Sequence, residues 1–276
     1  MRAGDYRVVE FPRTRIATFD VGQMSKRKHQ IAALLDLDVT DARRAIKAYR
    51  SATGEPLSFT AWLLKTISRT LEKHPHAYAY RQGKKALIVF HDIAISIVVE
   101  REYQGQFVPL PYVIRQSNRK SFSDITREIQ AAKNQPLSDN DVVVGQKRHS
   151  LSTSLYYALP GMVRRLIWRY ILSHPTVAQR QMGSVVVTSI GMMGKVNGWF
   201  LHSSIHPLSF GIGSILKQPA VIHDEIVIRE FLKMTVLLDH DVIDGAPMAR
   251  FVAQLAGNVE DALGLEAYLP PESTQS

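Results

Sequence analysis

The chain has 276 residues and a mass of 31.1 kDa, which allows one large α/β domain or two small ones. Hydrophobic residues make up 45% and charged residues 21%, which excludes a disordered chain. The lack of cysteine excludes a disulfide framework, cysteine-ligated zinc and a thiol nucleophile. The net charge of +9 is compatible with an anionic partner. Its basic residues stand in short groups, such as Lys26-Arg27-Lys28 and Arg164-Arg165, with no zinc-finger, helix-turn-helix or RNA-binding aromatic pattern, so no nucleic-acid partner is expected. The N-terminal residues MRAGDYRVVEFPRTR lack an apolar h-region. No stretch approaches the roughly 18 uninterrupted apolar residues of a membrane span. A cytoplasmic location is expected.

Residues 30–38 (QIAALLDLD) predict a strand, and Val39-Thr40-Asp41 opens a helix over 41–50 with Thr40 as its N-cap. Ser58 or Thr60 starts a second helix, in which Trp62, Leu63, Ile67 and Leu71 recur at helical spacing before His74-Pro75 stops it. Residues 86–90 and 93–99 predict two strands, with a third near Val108–Ile114. Ser121 or Ser123 caps a helix that runs to Lys133. Residues 184–189 (SVVVTS) and 232–238 (LKMTVLL) are strand-like, and Phe251, Leu255, Val259 and Leu263 mark a final helix over 246–263. Interleaved strands and helices predict one α/β domain with a mixed sheet over residues 1–268, followed by a loose tail at 269–276.

Residues 155–172 stand apart as an extra amphipathic helix. Met162, Val163, Leu166, Ile167, Tyr170 and Ile171 share one helical face, and Arg164, Arg165 and Arg169 share the other. The favoured expectation is an apolar face packed on its own domain or on a neighbouring subunit, with solvated arginines. Contact with an anionic membrane surface is the less favoured reading.

The most informative stretch is Leu237-Leu238-Asp239-His240-Asp241-Val242-Ile243-Asp244-Gly245, a His-x-x-x-Asp-Gly motif between an apolar strand and an amphipathic helix. A histidine at a strand end is held rigidly while facing a cleft, which suits a general base. Alternation along the strand points Asp239 and Asp241 away from the face of His240. Asp244 can order the turn by hydrogen bonds, and Gly245 tolerates the φ the turn requires. By itself the motif also fits a plain turn with a surface histidine.

The order of segments around the motif resembles the dihydrolipoamide acyltransferase family, the catalytic core of 2-oxoacid dehydrogenase complexes. That family shares its fold with chloramphenicol acetyltransferase. The similar segments are Leu35-Asp36-Leu37-Asp38-Val39-Thr40, Phe59 to Pro75, and Arg119-Lys120-Ser121 through Ile129. Val186-Val187-Thr188-Ser189-Ile190-Gly191, Ile205-His206-Pro207-Leu208 to Gly213 and the motif itself complete the series. The resemblance implies a chloramphenicol acetyltransferase-like mixed sheet flanked by helices. It also implies acyl transfer between coenzyme A and a thiol such as dihydrolipoamide. His240 takes the place of the general base and Thr188 that of the hydroxyl donor to the oxyanion, while Asp244 fixes the turn. The site lies between the subunits of a homotrimer, with histidine and hydroxyl from different chains.

The chain departs from the family in four ways. Asp241 stands where an arginine usually follows the histidine, and Ser189 replaces an asparagine. Residues 140–182 are longer than the family segment. No room is left for lipoyl and subunit-binding domains, so a lipoyl group would come from a separate protein. Acylation of a small hydroxyl compound is the alternative reaction, and a non-catalytic trimeric scaffold the alternative of another class. His202 and His206 have the four-residue spacing of helical metal ligands, but Pro207 follows and no metal site is expected. Gly211-x-Gly213 lacks the rest of a dinucleotide fingerprint. His74-Pro75-His76 reads as a helix-ending turn, and Met192-Met193 as a loop packed at an interface.

Overall fold

The structure, a computed structural model, describes residues 4, 6–8, 15–103, 106–134, 155–189 and 196–269, with side chains omitted for 101–109. Residues 270–276 of the tail and Ile190 to Met193 lie outside the described residues, while Leu269 packs against the core. The strands are β1 (Gln30–Asp38), β2 (Tyr80–Gln82), β3 (Ala86–Ile88), β4 (Ile95–Tyr103), β5 (Gln106–Ile114), β6 (Val185–Ser189), β7 (Leu208–Ile222) and β8 (Glu225–Asp239). The helices are α1 (Arg15–Ser25), α2 (Thr40–Thr53), α3 (Phe59–Glu72), α4 (Phe122–Asn134), α5 (Gly161–Ser173), α6 (Pro175–Met182) and α7 (Gly245–Glu260).

Six strands form one sheet in the order β1-β8-β7-β6-β4-β5. β6 runs parallel to both β4 and β7, and the other pairs are antiparallel, so the sheet is mixed as expected. Alternation gives the sheet two faces. Leu208, Phe210 and Ile212 of β7 and Leu232, Met234, Val236 and Leu238 of β8 join the hydrophobic core, together with Val185, Val187, Ile95 and Ile97. Trp62, Leu63, Ile67 and Leu71 of α3 and Phe251, Leu255 and Val259 of α7 pack into the same core. Each such side chain contributes roughly 1.5–3 kcal/mol by leaving water. The opposite face carries Thr188, Ser209, Gly211, Lys233 and Thr235, which are small or polar.

Local chemistry explains most element ends. The Ser58 hydroxyl accepts from the Ala61 amide at 3.1 Å and caps α3. The Ser121 hydroxyl accepts from the Asp124 amide at 3.1 Å, and the Asp124 carboxylate accepts in return from Ser121 at 2.7 Å. His223 and Asp224, at φ 51° and 64°, form the two-residue turn that joins β7 to β8.

Several expectations need correction. Thr40 is not the N-cap of α2: it is the first helical residue, with Val39 before it. The Thr40 hydroxyl donates to Asp38 at 2.6 Å and accepts from the Glu230 amide at 2.7 Å, so a cross-strand partner outcompetes the helix end. Leu263 lies beyond α7, because Ala262 at φ 51° and Gly264 at φ 80° turn the chain there. Residues 86–90 supply only β3, paired with the unforeseen β2 outside the main sheet. The 155–172 helix is broken at Pro160, and its apolar face does not pack on its own domain, although Arg165 and Arg169 are exposed as expected. Arg164 turns inward to Asp20 at 2.7 Å, while Met162, Leu166 and Tyr170 face outward.

Gly183 sets the entry into β6. Its φ of 71° and ψ of 176° are open only to glycine, and an added Cβ would lie 2.5 Å from the Ala94 carbonyl oxygen. Gly183→Ala is expected to destabilise the fold by about 2 kcal/mol, through backbone strain and the clash. Thermal melting checks this: a melting temperature equal to that of the unmodified chain would contradict it.

Candidate active site

His240 sits where β8 ends, and what holds it there comes from far away in the chain. Its backbone N–H donates to the His29 carbonyl at 2.8 Å, just beyond the last β1–β8 pair, Gln30 with Asp239. Asp239 is buried and ion-pairs with Lys28. Its carbonyl accepts from the amides of Val242 at 3.0 Å and Ile243 at 3.2 Å, and its carboxylate from the Asp241 amide at 3.2 Å. These bonds close the turn. Ile243 is buried and pins its far side.

Asp239 and Asp241 are turned to partners, while His240, the first residue beyond β8, is exposed. Asp241 meets His29 Nδ1 at 2.9 Å and Arg81 at 3.4 Å. The hydrogen bond from His29, with Arg81 nearby, holds the Asp241 carboxyl below the usual range. Its contribution is therefore present above the ordinary carboxylate pKa and lost only as pH falls through the lowered value. Where the family carries an arginine after the histidine, this chain carries a carboxylate held by Arg81 of β2 and by a hydrogen bond with His29 ahead of β1.

Asp244 departs from its expected role. It is the N-cap of α7 but makes no cap hydrogen bond, and it is exposed. Asp239 orders the turn in its place, being directly inside the loop it closes. Lys28, His29 and Arg81 were not singled out from the sequence as site residues. Lys28 and Asp239 are 211 residues apart, and no local pattern announces such a pair.

Thr188 is half-buried on the polar face of β6, opposite Gly211 of β7, which is opposite Thr235 of β8. His240 lies five residues past Thr235. Two strand spacings across and five residues along place the Cα atoms of Thr188 and His240 about 19 Å apart in one chain. One chain does not bring them together.

The segment 196–206 covers the polar face next to Thr188. Trp199 donates to the Leu35 carbonyl at 2.8 Å and lies 4.6 Å from the Lys233 ammonium, which pairs with Asp36 at 2.6 Å. His202 contacts Ser209 at 2.7 Å through Nε2, and its ring lies on Gly211, where an added Cβ would come within 2.9 Å of Nδ1. This contact explains the glycine. Burial lowers the His202 pKa, against the Phe200 carbonyl that raises it. His206 bonds the Met182 carbonyl at 3.1 Å through Nε2, and burial pushes its pKa down to about 4. Each histidine is engaged through Nε2, and among the described residues no group of three or more His, Asp and Glu side chains is placed to hold a metal. His74 pairs with Gln254 at 2.7 Å at the end of α3, which is the helix-ending turn expected.

The chain is thus a mixed-sheet α/β protein with a histidine-bearing turn at one strand end and a hydroxyl on the polar face of the sheet. The family described as 2-oxoacid dehydrogenases acyltransferase (catalytic domain) matches residues 3–142 and 163–266, and the chain belongs to it. The lipoamide acyltransferase component of the branched-chain alpha-keto acid dehydrogenase complex of Bacillus subtilis (strain 168) is 23% identical over 254 residues. The match covers 89% of this chain and 51% of that protein. The chain thus spans about half the length of such relatives. Among solved structures, the cubic core of the pyruvate dehydrogenase multienzyme complex aligns with a TM-score of 0.68 at 18% identity, covering 95% of each chain. Dihydrolipoamide acetyltransferase of Azotobacter vinelandii, studied for the catalytic roles of a serine, a histidine and an asparagine, aligns at 0.68 and 17% identity. It too covers 95% of each chain. These likenesses show the fold.

Substitutions separate the two carboxylates of the turn. Lys28→Met leaves the Asp239 carboxylate buried without its cation and should destabilise the protein by about 3 kcal/mol. Asp241→Asn, at a half-exposed pair, should cost less than about 1 kcal/mol. Denaturant unfolding distinguishes them, and equal losses would contradict this division of roles.

Proposed function

We propose that residues 1–268 form one catalytic domain that moves an acyl group between coenzyme A and a dihydrolipoyl thiol in the cytoplasm. The dihydrolipoyl thiol reaches the site on a lipoyl group, and the active site forms between subunits of a homotrimer. The observation that carries this reading is the rigid presentation of His240 within a chain that matches the acyltransferase family along most of its length.

The imidazole of His240 accepts the proton of the attacking thiol, which is otherwise mostly protonated at neutral pH. The thiolate attacks the thioester carbonyl, and the negative charge moves to the carbonyl oxygen. The Thr188 hydroxyl donates a hydrogen bond to that oxyanion. Collapse expels the second thiolate, which takes the proton back from His240. A hydroxyl, a histidine and a short polar side chain at Thr188, His240 and Asp244 parallel the serine, histidine and asparagine studied in the Azotobacter vinelandii enzyme. The separation of about 19 Å within one chain supports a site completed by a neighbour.

Turnover of acetyl-CoA with free dihydrolipoamide, followed by released coenzyme A, tests the reading. His240→Ala should lose at least about a hundredfold in kcat. Thr188→Val should lose on the order of a hundredfold, equivalent to about 3 kcal/mol. A wild-type rate in His240→Ala would sink the assignment, and turnover only with a hydroxyl acceptor would redirect it.

Mixing subunits tests the shared site. Trimers reassembled from inactive His240→Ala and Thr188→Val chains contain interfaces with both native groups, and activity should return. No recovery from verified mixed trimers would place both groups in one chain's site.

A further inference from the structure

A surface helix of a globular protein turns its apolar stripe inward and its charges outward. α5 departs from this: its apolar stripe faces outward beside Arg165 and Arg169, and Arg164 turns inward. On its inner side, Arg164 donates to Asp20 at 2.7 Å and to the Leu159 carbonyl at 2.5 Å. Tyr156 donates to the same Asp20 oxygen at 2.8 Å, and Trp168 donates to Tyr156 at 3.0 Å. Asp20 is only 1% exposed, so this network fixes α5 firmly against α1. No residue of α5 is fully buried.

On the outer side, Met162, Val163, Leu166, Ile167 and Tyr170 are 68%, 38%, 55%, 36% and 57% exposed. At 3.6 residues per turn these five fill one continuous arc of about 140°. Arg165 and Arg169 lie together along one edge of that arc, and among the described residues neither has an acidic partner. The surrounding sequence is just as one-sided. Residues 142–223 contain eight Lys and Arg residues and no Asp or Glu, so nearly all of the chain's surplus positive charge arises there.

These features say what covers the ridge. Two copies packed antiparallel on α5 would set the Arg165 and Arg169 edges against each other, with no carboxylate on the helix to separate them. A nucleic acid would match the arginines and leave the apolar ridge unmatched. An anionic lipid surface satisfies both, because headgroup phosphates meet Arg165 and Arg169 while the apolar side chains enter the acyl boundary. No helix among the described residues is long and apolar enough to cross a membrane, so the contact lies in the plane of the surface. We propose that α5 docks this protein on anionic membrane surfaces through the ridge Met162, Leu166 and Tyr170 and the edge Arg165 and Arg169.

The test is co-sedimentation of the full chain with vesicles of phosphatidylcholine alone or mixed with phosphatidylglycerol. Pelleting is expected only with the mixed vesicles and should weaken as salt is raised. Arg165→Gln combined with Arg169→Gln should weaken binding roughly 25-fold, at about fivefold for each arginine. Leu166→Glu should abolish pelleting. All three positions are exposed, so unchanged melting and oligomeric state confirm intact variants. Absence of pelleting with mixed vesicles, or pelleting unaffected by the variants, would overturn the proposal. So would concentration-dependent self-association without lipid that Leu166→Glu removes, since the ridge would then belong to a second copy.

Discussion

The candidate site depends on the register between β1 and β8. The pairing runs from Asp38 with Phe231 to Gln30 with Asp239, and one residue later His29 takes the amide of His240. A slip of one residue would reverse the face of every β8 side chain, sending Leu232, Met234, Val236 and Leu238 out of the core. Burial of that row therefore fixes where His240 emerges. The Lys28–Asp239 pair adds directionality: a buried carboxylate is tolerable only beside its cation, which locks the end of β8 to the start of β1. The turn that follows inherits this rigidity.

The same alternation that builds the core creates the second, polar face. Residues one step out of phase with the core row are Ser209 and Gly211 on β7, Lys233 and Thr235 on β8, and Thr188 on β6. The small Ser209, Gly211 and Thr235 admit the covering segment 196–206, which is fastened by Trp199 to Leu35 and by His202 to Ser209, with Lys233 against the Trp199 ring. Thr188 stands beside this segment, on the reverse of a wall whose front is packed by α3 and α7. The position of a hydroxyl donor is thus set by the hydrophobic packing behind it. His240, on the other hand, leaves the sheet at the end where β6 and β7 begin. A site using both needs two copies of the wall.

α1 and α5 are joined by a different logic. Asp20, Arg164, Tyr156 and Trp168 form a polar contact inside, with an apolar surface left outside. Burial and the adjacent Asp20 carboxylate push the Tyr156 pKa up to about 12, so it stays a neutral donor within the network. Hydrophobic burial alone would have rotated the helix the other way. A buried aspartate accepting two hydrogen bonds, one of them from a cation, outweighs it.

Periodicity within single elements is legible in the order of residues alone. The spacing of Trp62, Leu63, Ile67 and Leu71, the capping serines Ser58 and Ser121, and the strand runs at 30–38 and 184–189 depend only on neighbours within a few residues. The His-x-x-x-Asp-Gly motif is legible for the same reason, since strand, turn and helix follow one another directly. Other features were decided only by the assembled fold. Thr40 exchanged a helix cap for Asp38 and Glu230, and Asp239 took the turn-ordering role expected of Asp244. Arg164 turned inward because Asp20 waits there, although a helical wheel places it with the solvated arginines. Each of these depends on a partner brought close only by tertiary folding. The sequence by itself determined the strongly periodic elements and the family resemblance; the tertiary structure decided the short β2 and which charges the elements share, because those pairings form between residues that no local spacing connects.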